Sequence, residues 1–114
     1  MKDPTIGILI TCFNKESYID DAIKSALKNT NRIIVIDDYS EDQSWEIIKK
    51  FKEIISYQMT ENLGASAATI KGLELAIKHK FSHCILLDGD DVLAENAINH
   101  YSEIFKKTKA NAIY

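Results

Sequence analysis

The sequence contains few of the residues that mark specialised classes of protein, with one Pro, four Gly and two Cys among 114 residues. So little Pro and Gly excludes a collagen-like chain or a Pro/Gly-rich disordered chain. Cys12 and Cys84 lie in apolar runs rather than in a spaced disulfide or zinc pattern, which predicts buried free thiols in a reducing compartment. No apolar run approaches the roughly 20 residues of a membrane span. The N-terminus also lacks the features of a signal peptide, so the expected compartment is the cytoplasm.

Positive charge is not concentrated anywhere in the chain. The 14 Lys and Arg residues are scattered against 17 Asp and Glu residues, for a net charge of −3. Binding to a nucleic-acid backbone needs a dense basic surface, so we expect no nucleic-acid partner. With 46% hydrophobic and 27% charged residues, the composition predicts one globular domain over residues 1–114.

Short apolar runs alternate with segments of helical periodicity from end to end. Runs without polar alternation predict strands that are covered on both faces, hence an α/β fold with a mainly parallel sheet and helices on both faces. The last predicted strand stops with the chain, and doubly wound sheets usually have five or six strands, so we expect a truncated chain. The predicted strands are Ile6–Ile10, Ile33–Ile36, Ile54–Met59, Cys84–Leu87 and Ala110–Tyr114.

Four helices are predicted between these strands. The first has two candidate starts, a cap at Asn14 or a box-like pair of Ser17 and Asp20, and the second has a capping box of Ser40 and Gln43. Helical spacing predicts the buried residues of each helix in turn: Ile19, Ala22, Ile23, Ala26 and Leu27; Trp45, Ile48 and Phe51; Ala68, Leu73, Ala76 and Ile77; Ala97, Ile98, Tyr101, Ile104 and Phe105.

Polar residues follow four of the predicted strands at the point where each strand ends. Ligands bind at the carboxyl ends of the strands in open α/β sheets, so these residues are the candidates for a site. The four clusters are Thr11–Asn14, Asp37–Ser40, Glu61–Gly64 and Asp88–Asp91.

The acidic cluster Asp88–Asp91 gives the sharpest indication of chemistry. Carboxylates at a buried strand end repel one another and lose hydration unless a cation offsets them. Mg²⁺ and Mn²⁺ prefer oxygen ligands and bind through one or two carboxylates together with substrate phosphates. Gly89 would allow a tight backbone turn. The alternative is a solvated acidic turn that caps the next helix.

Two further clusters support a ligand site. One of Asp37 and Asp38 is expected to be structural, and the other to accept hydrogen bonds from a ligand. Asn62 and Gly64, followed by small residues, would place open backbone at a helix N-terminus, where an anion or nucleoside could approach. Close packing of the helix on the sheet is the alternative explanation for these small residues.

In their order and spacing, these clusters resemble the N-terminal part of the inverting family 2 glycosyltransferases, which have the GT-A fold. The resemblance covers essentially the whole chain. Thr11–Asn14 is similar to the family's Thr-x-Tyr-Asn, Ile34–Ser40 to its Val-Asp-Asp-x-Ser strand end, and Asp88–Asp91 to its Asp-x-Asp metal motif.

The resemblance implies a role for each residue. Thr11 and Asp38 would hold the base of a nucleotide, Phe13 would lie against that base, Asp88 would lie near the ribose, and Asp90 would be the chief metal ligand. The candidate donor-binding residues are Thr11, Phe13, Asn14, Asp38, Asn62, Gly64 and Asp88, and the candidate ligands of Mn²⁺ or Mg²⁺ are Asp90 and Asp88.

The implied activity is transfer of a sugar from a nucleotide-diphosphate donor, expected to be a UDP-sugar, to a hydroxyl of a glycan or lipid-linked acceptor, with inversion and metal assistance. Family members build bacterial surface polysaccharides. Their catalytic base would lie beyond Tyr114, so no residue here is assigned as catalytic and the chain alone is expected to be inactive. Contact with the inner face of the membrane would involve regions outside this chain.

Three positions depart from the family pattern. Thr69 and Ile70 occupy positions where the family often has Arg-Asn, and Tyr39 stands where a small residue is usual. These differences leave the identity of the donor open.

Three other classes of function are alternatives to a glycosyltransferase. They are a non-catalytic nucleotide-sugar-binding module, a nucleotidyltransferase, which would need a Gly-rich loop after the first strand, and a receiver-like phosphoacceptor domain, whose acid pair would follow the first strand.

Overall fold

The computed structural model describes residues 4–108, which form four strands and four helices in alternation. The elements in chain order are β1 (Ile6–Cys12), α1 (Ile19–Leu27), β2 (Ile33–Asp37), α2 (Ser44–Ile48), β3 (Ile55–Gln58), α3 (Ala65–Lys78), β4 (His83–Asp88) and α4 (Ala97–Thr108).

The strands form one parallel sheet in the order β3-β2-β1-β4. The predicted α/β class and parallel sheet are therefore confirmed, and the first four predicted strands are found with ends shifted by no more than two residues. The fifth predicted strand, Ala110–Tyr114, lies outside the described residues. Because the chain runs outward from β1 to β3 and then returns to place β4 on the other side of β1, the sheet has a topological switch point between β1 and β4.

Helices cover both faces of the sheet, as predicted. On one face α1, α2 and α4 enclose a cluster built on the isoleucines of β1 and on Ile33 and Val35 of β2. On the other face α3 packs on Leu9, Ile34 and Ile36. Every residue of β2 is buried, which explains its uninterrupted apolar sequence.

The first helix buries its predicted stripe but begins differently from either prediction. Ile19, Ala22, Ile23 and Ala26 are fully buried. The residue before the helix is Tyr18, and no side chain caps it. Both predicted caps, Asn14 and the Ser17 pair, are therefore wrong, because a backbone turn enters the helix instead: the amides of Tyr18 and Ile19 both donate to the carbonyl of Lys15.

The second helix is short, and its predicted capping box is also wrong. The helix begins at Ser44. Ser40 does not cap it, because the Ser40 hydroxyl donates to the Asp37 carboxylate (2.6 Å). The amide of Ser44 donates instead to Asp42 Oδ1 (2.8 Å). Ile48 is buried, and Trp45 and Phe51 pack against the same cluster, as predicted.

The prediction for the third helix is confirmed in part, because two of its four predicted residues, Ala68 and Ala76, are buried. Ala68, Gly72 and Ala76 face the sheet, whereas Leu73 and Ile77 are exposed. Small residues let α3 lie close to β1 and β2, and this position leaves β4 largely uncovered on that side. Leu86 of β4 is consequently 42% exposed, so the prediction that this strand is covered on both faces is wrong for the described residues.

The fourth helix packs as predicted, with Ala97 and Phe105 buried and with Ile98 and Tyr101 against the same cluster. Cys12 is a buried free thiol, as expected, but Cys84 is only partly buried. Among residues 4–108, no helix has the length and apolar character needed to cross a membrane.

Candidate functional site

The polar residues at the strand ends meet at one edge of the sheet because the strand registers align them. Thr11 of β1 lies opposite Ile36 of β2 and Asp88 of β4, and Cys12 lies opposite Asp37. This edge contains the switch point between β1 and β4, where open α/β sheets form a ligand crevice.

A cavity of about 190 Å³ opens at this edge. Ligand pockets usually measure roughly 300–1,000 Å³, so this cavity can hold only part of a nucleotide-sized molecule. Four of the predicted residues, Thr11, Phe13, Asp38 and Asp88, lie together around it. Among the described residues, those that line it are Thr11, Cys12, Phe13, Lys15, Asp38, Ala65, Ala68 and Asp88.

Asp38 joins the end of β2 to the loop before α3. Its Oδ1 accepts a hydrogen bond from the amide of Leu63 (3.0 Å), and its Oδ2 accepts from the amide of Gly64 (2.8 Å) and from Asn62 Nδ2 (3.0 Å). The backbone that was expected to be open to a ligand is therefore occupied by this carboxylate. Gly64 has φ +98°, a conformation that favours glycine. Asn62 and Gly64 therefore do not line the cavity. They lie in the loop directly before Ala65, which does line it.

Asp37 and Asn14 hold the loops after β1 and β2 together. Asp37 is fully buried, and its carboxylate accepts hydrogen bonds from the amide and hydroxyl of Ser40 (2.9 and 2.6 Å). Ser40 Oγ also accepts from the amide of Asn14, and Asn14 Oδ1 accepts from the amide of Glu41 (2.8 Å). Asn14 is therefore part of the loop brace and lies outside the cavity lining, and Asp37 takes the structural role that was expected of one aspartate in this pair.

The acidic cluster forms an exposed turn after β4. Asp88, Asp90 and Asp91 are all exposed, so the desolvation argument for a cation is weaker than the sequence indicated. The helix-capping alternative is excluded for the described residues, because α4 begins only at Ala97.

Gly89 is buried, and a Cβ there would lie 3.1 Å from the carbonyl oxygen of Thr11. A close approach to β1, rather than a special φ angle, explains glycine at this position.

Sequence reasoning missed Lys15, whose side chain reaches from the loop after β1 to the acidic turn. Its Nζ lies 3.1 Å from Asp90 Oδ2. The hydrogen bond and charge of Asp90 raise the pKa of Lys15, and the hydrogen bond from Lys15 lowers the pKa of Asp90. The sequence feature that could have identified Lys15 is its position directly after the polar strand-end cluster Thr11–Asn14. Neighbouring Cys12 contributes no charge, because burial raises the pKa of its thiol to about 12.

The turn presents two carboxylates, Asp88 and Asp90, and a divalent cation held there would take most of its ligands from elsewhere. Within residues 4–108 no group of three or more His, Cys, Asp or Glu side chains is arranged to hold a metal ion. Asp88 and Asp90 are linked by a long hydrogen bond from the amide of Asp90 to Asp88 Oδ1 (3.4 Å), and a cation, the Lys15 ammonium, already lies against Asp90. Such a carboxylate pair suits Mg²⁺ or Mn²⁺, which binds through one or two carboxylates, water and substrate phosphates.

Comparison with known proteins identifies the family. The model of the family "Glycosyl transferase family 2" matches residues 7–114. The chain belongs to this family.

Relatives with similar sequences include bacterial proteins. This family 2 chain is 34% identical over 107 residues to an uncharacterized glycosyltransferase of Rickettsia prowazekii, a match over 91% of this chain and 33% of the relative. It is 30% identical over 107 residues to the poly-beta-1,6-N-acetyl-D-glucosamine synthase of Staphylococcus aureus, a match over 89% of this chain and 25% of that enzyme. The chain therefore spans a quarter to a third of the length of these relatives.

Solved structures support the same fold. TarS of S. aureus, residues 1–349 in complex with UDP, superimposes with a TM-score of 0.79 at 20% identity, covering 90% of this chain and 32% of that one. The mannosyltransferase PcManGT of Pyrobaculum calidifontis, in complex with GDP-Man and Mn²⁺, gives 0.68 at 15% identity over 86% of this chain and 31% of that one. The family 2 chain thus has the GT-A type of α/β sheet.

One departure from the family pattern, at Tyr39, coincides with an unusual backbone conformation. Tyr39 has φ +62° and is half exposed. A positive φ is disfavoured for a residue with a large side chain, and Gly, Asn or Asp adopts it more readily, so the backbone conformation at this position disfavours Tyr.

Proposed function

We propose that this chain forms the donor-binding part of a glycosyltransferase that moves a sugar from a nucleotide diphosphate, a UDP-sugar in the first instance, to an acceptor hydroxyl with inversion. The observation that carries the proposal is the cavity at the switch point, where Thr11, Phe13, Asp38 and Asp88 converge beside the Asp90 turn. Membership of glycosyl transferase family 2 supports the class of reaction.

Each residue has a role in this proposal. Phe13 offers an exposed ring for stacking against a base, and the Thr11 hydroxyl can bond to its edge. Asp38 holds the loop of Asn62 and Gly64, which leads into α3, in place beside the cavity. Asp88 and Asp90 would hold Mn²⁺ or Mg²⁺, which stabilises the developing charge on the leaving nucleotide diphosphate.

The choice of donor is supported by neighbours of the fold. TarS has been solved with UDP and with UDP-GlcNAc, and PcManGT with GDP-Man. A nucleotide-diphosphate sugar is therefore the class of ligand to test. The acceptor is proposed to be a glycan or lipid-linked glycan, in keeping with the polysaccharide synthase among the relatives. A receiver-like function is disfavoured, because receiver sheets have the order 2-1-3-4-5 rather than 3-2-1-4.

The test is a calorimetric titration of UDP, and separately of GDP, into the folded chain with and without Mn²⁺. We expect UDP to bind more tightly with Mn²⁺, and Asp90→Asn to lose this dependence because it removes a charged ligand. Asp21→Asn is the matched control, since it makes the same change at an exposed residue of α1, away from the acidic turn. Equal loss in both variants, or no binding of either nucleotide to the folded chain, would contradict the proposal. Because the chain spans so little of its relatives, we expect binding by this chain without sugar transfer.

A further inference from the structure

The Lys15 side chain lies where the acidic turn and the cavity meet. It lines the cavity together with Thr11 and Asp88, and its ammonium contacts Asp90 Oδ2 at 3.1 Å. Among the described residues that line the cavity, it carries the only positive charge. One flexible side chain therefore borders both the space for a donor and the carboxylate proposed to bind a metal.

The backbone of Lys15 is held in place, so that only its side chain can move. The amide donates to Ser44 Oγ (2.8 Å), and the carbonyl accepts from the amides of Tyr18 and Ile19 at the entrance to α1. Substitutions that change the Lys15 side chain leave these backbone bonds intact. The ion pair itself is accessible, with the two side chains 32% and 39% exposed, so it can open without unfolding the loop.

We propose that Lys15 is a built-in counter-ion of the metal site, which keeps a divalent cation off Asp90 until a nucleotide diphosphate is present. This inference rests on the proposed function. A divalent cation and an ammonium group cannot both lie against the same carboxylate without strong repulsion, so the metal must displace Lys15. In the free protein, displacement breaks the Lys15–Asp90 ion pair and gives Lys15 no new partner, so the cation binds weakly.

A bound diphosphate removes this cost. Lys15 is one of the residues that line the cavity, so after leaving Asp90 its ammonium stays within reach of a donor bound there, and the phosphates offer it new negative partners. Metal and nucleotide therefore strengthen each other's binding, and by linkage the effect is reciprocal. The consequence is an ordered site, in which metal without donor is rare.

The experiment measures Mn²⁺ binding to the whole chain by paramagnetic broadening of the Gly89 and Asp90 amide signals, in the absence and presence of UDP. Without UDP, Lys15→Met should bind Mn²⁺ about two- to fivefold more tightly than the unsubstituted chain, the range expected for release of an accessible ion pair. With UDP, the gain in Mn²⁺ affinity should be smaller in Lys15→Met than in the unsubstituted chain.

Two variants serve as controls. Lys24→Met removes the same charge from the Lys24–Asp20 pair on α1, and it should leave Mn²⁺ binding unchanged if the effect is local rather than one of net charge. Lys15→Arg keeps the cation and should behave like the unsubstituted chain without UDP. Tighter Mn²⁺ binding in Lys24→Met equal to that in Lys15→Met would overturn the inference.

The remaining outcomes separate this inference from the proposed function. If the unsubstituted chain binds Mn²⁺ with UDP, but Lys15→Met binds Mn²⁺ alone no more tightly, Lys15 is not a counter-ion and the donor site stands. If no form of the chain binds Mn²⁺ even at saturating UDP, the metal-dependent function fails and the inference fails with it.

Discussion

At the scale of the residue, Gly72 determines how closely α3 can lie on the sheet. A Cβ at this position would lie 2.1 Å from Leu9 Cδ1 and 2.9 Å from Leu9 Cγ, and Leu9 is buried in β1. The Leu9 side chain belongs to the core on that face of the sheet, so a Cβ at position 72 could be accommodated only by repacking the core. Replacing Gly by Ala inside a helix normally stabilises it by about 1 kcal/mol, so the contact and the helix propensity have opposite effects.

We expect Gly72→Ala to lower the free energy of unfolding by about 1–3 kcal/mol, because overpacking of a filled core outweighs the gain in helix propensity. Urea denaturation of both forms measures the difference. The double variant with Leu9→Val, which shortens the obstructing side chain, should lose less than the sum of the two single variants. Greater stability in Gly72→Ala would show that α3 can shift away from β1.

At the scale of the element, α3 differs from the other helices in having large apolar residues on its outer face. Ile70, Leu73 and Ile77 are exposed, and Ala68, Gly72 and Ala76 make the contact with the sheet. The helical spacing of the sequence is compatible with both faces, and only the packed structure distinguishes them. The close approach to β1 and β2 requires small side chains, so the large ones are left outside.

Two isoleucine variants should therefore differ widely in the free energy of unfolding that each one loses. Ile77→Ala on α3 should change the free energy of unfolding by no more than about 0.5 kcal/mol, because the side chain is 76% exposed. Ile23→Ala on α1, where the side chain is fully buried, should cost about 2–5 kcal/mol. Thermal unfolding of the pair under identical conditions makes the comparison. An equal cost at both positions would mean that the outer face of α3 is covered in solution.

At the scale of the whole molecule, one sheet joins two hydrophobic clusters. Alternate residues of β1 and β2 point to opposite faces, so that Ile8 and Val35 belong to one cluster and Leu9 and Ile34 to the other. Loss of either cluster would expose the shared strands on that side. The two faces should therefore unfold together rather than in separate steps.

Two probes on opposite faces test this cooperativity. Trp45 packs on the cluster formed with α1, α2 and α4, so its fluorescence reports that face. Amide exchange along α3 reports the other face, which contains Ala68 and Ala76. We expect the urea midpoint from Trp45 fluorescence to coincide with that from circular dichroism, and the most protected α3 amides to exchange only through global unfolding. Separate midpoints, or exchange of all α3 amides at a much lower free energy, would contradict a single cooperative unit.

Much of the fold and part of the site follow from short-range patterns. The uninterrupted apolar run Ile33–Ile36 is enough to predict a strand buried on both faces, and Thr11, Asp38 and Asp88 are each predictable from their position after such a run. Parallel strands bring their carboxyl ends to one edge, so convergence of these residues needs no further information. The buried stripe of α1 was also predictable from the local sequence, because its apolar residues form a single face.

Long-range contacts decided the rest. Ser40 bonds to Asp37 in a loop that is also held by the amide of Asn14, 26 positions away in the sequence. Whether the amides of Leu63 and Gly64 are open or held by Asp38 likewise depends on how loops distant in sequence lie against each other. The contact between Lys15 and Asp90 joins residues 75 positions apart, and local spacing cannot predict such a contact. The buried face of α3 depended on the shape of the sheet beneath it. Local sequence determines which segments are strands and helices and where polar ends occur, whereas the competition among hydrogen-bond partners and packing surfaces is resolved only when the whole chain is folded.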